Sequence, residues 1–87
     1  MIDNAEKHRF ELTENGLTVF AEYRQHDNRY VLIHVEADPA MRGTGAAARL
    51  MDGIVALARE KSLQIVPRCP YAVDWFKRNP DAADVLD

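Results

Sequence analysis

Three short stretches of this chain carry residue types able to do chemistry. The first is PAMRGTGAAARLM, Pro39 to Met51, where Gly43 and Gly45 stand between an apolar run and a helix-like run. The second is His34-Val35-Glu36, which sets an imidazole and a carboxylate two residues apart. The third is RCPY, Arg68 to Tyr71, which contains the one cysteine of the sequence. Glycines ahead of a helix let the backbone approach a ligand closely. The first N–H groups of a helix lack intrahelical partners and carry the positive end of its dipole. A diphosphate or another anion is the natural guest of such a site. A carboxylate beside an imidazole suits proton removal. A thiol at a helix start suits nucleophilic attack or proton donation, because the dipole lowers a thiol pKa and Arg68 adds to the effect.

The glycine pair admits several readings. A nucleotide-triphosphate loop needs a lysine and a hydroxyl after its last glycine, and both are missing here. Gly43, Gly45 and Ala48 do fit the spacing of a dinucleotide fingerprint, G-x-G-x-x-A. That fingerprint asks for an acidic residue after the next strand, where this chain reads VPRCP. Arg42, Gly45 and Ala47 meet a third pattern, R-x-x-G-x-A. In it, main-chain N–H groups of Gly43, Thr44, Gly45, Ala46 and Ala47 would hold a pyrophosphate, with Arg42 supplying charge. The plain alternative is that the glycines only turn the chain and the alanines only pack.

The elements that must position these residues are legible in the periodicity. Residues 1–8 are polar and are expected to fray. Phe10 and Leu12 alternate with polar residues, and Leu17, Val19, Ala21 and Tyr23 share one face of a second strand. Asn15-Gly16 is a hairpin signal between them. A polar turn at 26–29 leads to a third strand, Tyr30 to Ala37, rich in β-branched residues. Short loops make this an antiparallel meander. From Gly45 to about Lys61, Ala47, Leu50, Met51, Ile54, Val55, Leu57 and Ala58 follow helical spacing, with Arg49, Asp52, Ala56, Arg59 and Glu60 on the wet face. Gly53, inside that helix, is expected to be a close approach to the sheet. Leu63–Pro67 reads as a short buried strand, reached by a right-handed crossover and therefore parallel to its neighbour. Pro70 opens a short helix to Arg78, and Asn79-Pro80 stops it. The residues after it, DAADVLD, allow one more turn. The fold class is α/β (α+β), with a mixed sheet.

Bulk properties bound the partners. A chain of 87 residues with 47% hydrophobic and 29% charged content is ordinary for one globular domain. A formal charge of −3 argues against a nucleic-acid partner held by phosphate neutralisation. One cysteine makes no disulfide framework and suits a reducing compartment, so the cytoplasm is expected. The apolar runs are too short to span a bilayer, so no membrane association is expected. No metal site is assigned. A monomer or weak homodimer is expected, the latter through exposed sheet edges.

The order meander, glycine loop, long helix, strand, short helix resembles the core of the GNAT acetyltransferases. IHVEADPAMRGTGAAARLM followed by SLQIVPRCPYAVDWFKRNPDAADVL is similar to the minimal, single-domain branch of that superfamily, over about Phe10 to Leu86. The resemblance implies a GNAT-like domain over residues 9–87 that binds acetyl-CoA and transfers acetyl to an amine. Glu36 is then the first choice as base, with His34 sharing or relaying its proton. Cys69 would accept the acetyl group covalently or protonate the departing thiolate, and Tyr71 is a rival acid. Each has a plain alternative: a solvated carboxylate, a half-buried histidine, a small buried thiol, an amphipathic tyrosine. Main-chain edges of Val35 and Ala37 would meet the pantetheine. Asn79 would cap the short helix or touch coenzyme A, and Arg49 lies within reach of a phosphate. Trp75 and Phe76 share helical spacing with Ala72 and are assigned to the core. Helices that line the acceptor side in longer relatives are missing. A non-catalytic CoA- or acyl-CoA-binding module and a small interaction domain therefore stand as alternatives.

Overall fold

The computed structural model describes the whole of Met1–Asp87. Five strands form one sheet in the order β1-β2-β3-β4-β5. They are β1 (Ile2–Asn4), β2 (Arg9–Glu14), β3 (Leu17–His26), β4 (Arg29–Ala37) and β5 (Gln64–Pro67). The first four pair antiparallel, and β5 runs parallel to β4 after the crossover through α1 (Ala46–Lys61). Helix α2 (Pro70–Arg78) follows β5, then a 3-10 turn, Pro80–Val85. Leu86 returns to bridge Ile65 in parallel, which covers part of the β5 edge.

One face of the sheet is buried. Phe10, Val19, Ala21, Tyr23, Tyr30 and Leu32 point to α1, which answers with Leu50, Met51, Ile54, Val55 and Ala58. Burial of each large side chain contributes about 1.5–3 kcal/mol. Phe10 stacks on Tyr23 at 4.3 Å between ring centroids and meets the edge of Tyr30 at 5.0 Å. Trp75 and Phe76 of α2 join the same core, as the helical spacing predicts. The Asn15–Gly16 turn has positive φ at both residues, 53° and 77°, the geometry a two-residue hairpin favours.

Three features depart from the sequence reading. The polar start of the chain, expected to fray, forms β1 and a 3-10 turn. The Tyr23 hydroxyl donates to Asp3 at 2.5 Å, and the Asn4 side chain caps the turn. Gly53 makes its close approach to Met1 rather than to the sheet centre: a Cβ there would lie 3.0 Å from the Met1 sulfur. The third departure is a β-bulge. From Ala37 back to His34 each residue of β4 faces one of β3, but Tyr23 then pairs with Leu32, leaving Ile33 as the extra residue. A bulge inverts the alternation of the strand. Tyr30 and Leu32 are buried before it, Val35 and Ala37 pack on the core after it, and His34 and Glu36 turn to the open face.

Candidate functional site

Past the bulge, β4 has lost its parallel neighbour. Pairing with β5 ends at Leu32–Pro67, and the Leu32 carbonyl accepts from both Arg68 and Cys69 N–H groups. Five further residues of β4, Ile33 to Ala37, run on without a strand on that side. The Asp38 N–H donates to the Thr18 carbonyl, so the alternate pairs Glu36–Phe20 and His34–Glu22 are the hydrogen-bonded ones. Val35 and Ala37 therefore present their main-chain groups to the open edge. The wedge between β4 and β5 is a slot lined with unpaired backbone.

The glycine loop closes the far end of that slot. Gly43 and Gly45 have φ of 79° and 80°, which a side chain adopts only at a cost of about 1–2 kcal/mol. Thr44 holds the turn: its hydroxyl donates to the Met41 carbonyl at 2.6 Å and accepts from Ala46 N–H at 3.3 Å. The Thr44 N–H also goes to Met41. The first helical bond of α1 is Arg49 N–H to Gly45 carbonyl, 3.1 Å. The N–H groups of Gly43, Gly45, Ala47 and Ala48 are left with no protein acceptor. Of the loop residues singled out by sequence, Thr44 and Ala46 thus shape the cradle, with their own N–H groups used internally. Ala48 joins the bare donors. Ala46 is buried and anchors the helix start in the core.

A cleft of about 370 Å³ opens over these donors, lined by Ala37, Met41–Gly43 and Gly45–Ala48 on one side and Tyr71 and Arg78 on the other. No carboxylate lines it, and Arg42 and Arg78 do. Burial pushes the Tyr71 phenol above its ordinary value, so it stays protonated through neutral pH. Arg78 escaped the sequence reading. Its signal was its spacing: it stands seven residues after Tyr71, two helical turns along the same face.

A second cleft, about 400 Å³, lies on the open face of the sheet, lined by Arg9, Thr18, Phe20, Glu36 and Asp38 among others, and meets the first at Ala37. The Glu36 carboxylate accepts from the Nε2–H of His34 at 3.0 Å, and both side chains are more than half exposed. Phe20 supports this pair: His34 meets its ring at 6.3 Å, and the Arg9 guanidinium lies 4.4 Å from its centroid. Arg9 is also held by Glu11 at 2.5 Å.

The remaining residues fall elsewhere. Cys69 is 5% exposed, and its sulfur accepts from Ala72 N–H at 3.3 Å as the N-cap of α2. Asn79 donates from its side chain to the Trp75 carbonyl at 2.8 Å, closing α2, and lines a different cleft with Asp52 and Arg59. The structure does not bring it to the glycine loop. Nor does Arg49 reach for that loop: it makes a bidentate pair with Glu14, 2.8 and 2.7 Å, at the tip of the first hairpin. That partner holds the Glu14 carboxyl below its usual range.

Comparison with known proteins gives two findings. A family model described as GCN5-related N-acetyl-transferase matches residues 9–85. The NMR solution structure of a GCN5-like protein from Staphylococcus aureus superposes with a TM-score of 0.64 over 92% of this chain and 89% of that one. At 19% identity that likeness speaks for the fold.

Proposed function

The chain belongs to the GCN5-related N-acetyltransferase family, and from that premise we propose that it binds acetyl-CoA in the loop cleft and transfers the acetyl group to an amine. The observation that carries the reading is the set of bare N–H groups at Gly43, Gly45, Ala47 and Ala48, on residues that line a cleft without carboxylates. Those groups and Arg42 would hold the pyrophosphate. The open edge of Val35 and Ala37 would hold the amides of the pantetheine arm, as a missing strand would.

When bound, acetyl-CoA supplies a thioester whose C–S bond breaks as the amine N–C bond forms. Glu36 rises into the open-face cleft one residue from each open-edge position, and takes the proton that the substrate ammonium must lose before its nitrogen attacks as a neutral amine. His34 passes that proton on to solvent. Tyr71, kept protonated by burial, gives its proton to the departing sulfur. The Cys69 sulfur, buried and accepting an N–H bond, has the role of a helix cap here, so the reading is direct transfer.

Titration with coenzyme A, followed by amide NMR, tests the cofactor half. Gly43, Gly45, Ala47 and Ala48 are expected to shift most. An unmoved loop at millimolar ligand would end it. Thiol release from acetyl-CoA with a panel of primary amines tests the transfer half, and release at the buffer rate for every amine would leave a binding module.

A further inference from the structure

The loop donors and Arg42 suffice for one pyrophosphate, yet the cleft carries a second cation on its opposite wall. Arg78 lies at the end of α2, roughly 10 Å along the helix from Tyr71. Tyr71 stands two residues beyond Cys69, whose N–H, with that of Arg68, marks the point where β4 and β5 part. The α2 wall of the cleft therefore runs from the splayed strands outward, and Arg78 is at its outer end. Its partner is Asp74 at 3.0 Å, one turn back, with both side chains about 60% exposed. Such a pair is weak and exchanges readily for a stronger anion. A guanidinium forms paired hydrogen bonds with phosphate, which suits it to that exchange.

We propose that Arg78 reads a third phosphate group, the 3′-phosphate on the ribose, and so makes the cleft select coenzyme A over ligands that carry the pyrophosphate alone. This rests on the cofactor reading above and deepens it. The division of labour is by wall: the loop and Arg42 take the pyrophosphate, and α2 takes the ribose phosphate.

Calorimetric titration of the full chain with coenzyme A and with dephospho-coenzyme A tests it. Wild type is expected to prefer coenzyme A by about tenfold, the worth of one charge-assisted pair. In Arg78→Gln the preference collapses towards one, by loss of affinity for coenzyme A alone. Arg78→Lys restores part of it. Arg42→Gln weakens both ligands alike and keeps the preference. Asp74→Asn, which frees Arg78, keeps or sharpens it. A preference that survives Arg78→Gln overturns the proposal, as does equal binding of both ligands by wild type; either leaves the cofactor reading standing. Binding of neither ligand by wild type overturns both.

Discussion

The loop cleft takes its ligand groups from the main chain, and the open-face cleft takes them from side chains. In the first, sequence matters through conformation: Gly43 and Gly45 permit the left-handed turns, Thr44 fixes them, and four N–H groups follow. In the second, Glu36, His34, Phe20 and Arg9 stand on a sheet face with no layer above it. A donor that all users share suits a fixed backbone cradle. A face of separate side chains is where one amine is told from another, and here that face is shallow and open.

The comparison breaks most readily at Glu36. Glu36→Gln is expected to lower kcat by about 10²–10⁴ while leaving the affinity for acetyl-CoA unchanged, measured by thiol release and calorimetry. A matching loss of affinity would mean the two clefts are not separate. Gly45→Asp is the mirror experiment. Left-handed strain, contact with the Arg49 guanidinium 3.1 Å from a new Cβ, and negative charge at the helix start act together. Coenzyme A affinity should fall about a hundredfold, and retained affinity would remove the backbone cradle from the argument.

Tyr71→Phe should lower kcat by about tenfold, because a thiolate leaves tolerably without an acid. The phenol must be protonated to act, so wild-type kcat falls as pH rises through its raised pKa, and the variant should lose that alkaline limb. The smallest effect is expected at Cys69. Serine is a good N-cap, so Cys69→Ser should keep stability and kcat, whereas Cys69→Ala costs about 1 kcal/mol in a denaturation curve. Loss of activity in the serine variant, with acetyl found on Cys69 by mass spectrometry, would replace direct transfer with a covalent route.

Much of this was legible in the sequence, for stated reasons. The helical spacing from Ala47 to Ala58 and the Asn15–Gly16 turn are local signals, and local signals survive folding. The glycine loop was found because left-handed backbone needs glycine. What was missed depends on distant partners. Strand β1 is three residues held to Tyr23 through Asp3, and no pattern within Ile2–Asn4 announces that bond. Arg49 looked free on its helix because Glu14 lies thirty-five residues away in the chain. The bulge did leave a trace: buried positions are even-numbered at Tyr30 and Leu32, and inward ones odd at Val35 and Ala37. A strict alternation read over Tyr30–Ala37 passes over that change.

That extra residue gives β4 something like a reading frame. Ile33 is 38% exposed and its own side chain fills no part of the core, so replacing it should be mild. Deleting it is another matter. Every position beyond would change sides, burying His34 and Glu36 and sending Val35 and Ala37 outward. The one residue whose identity matters little is the one whose presence decides which side of the sheet the base is on.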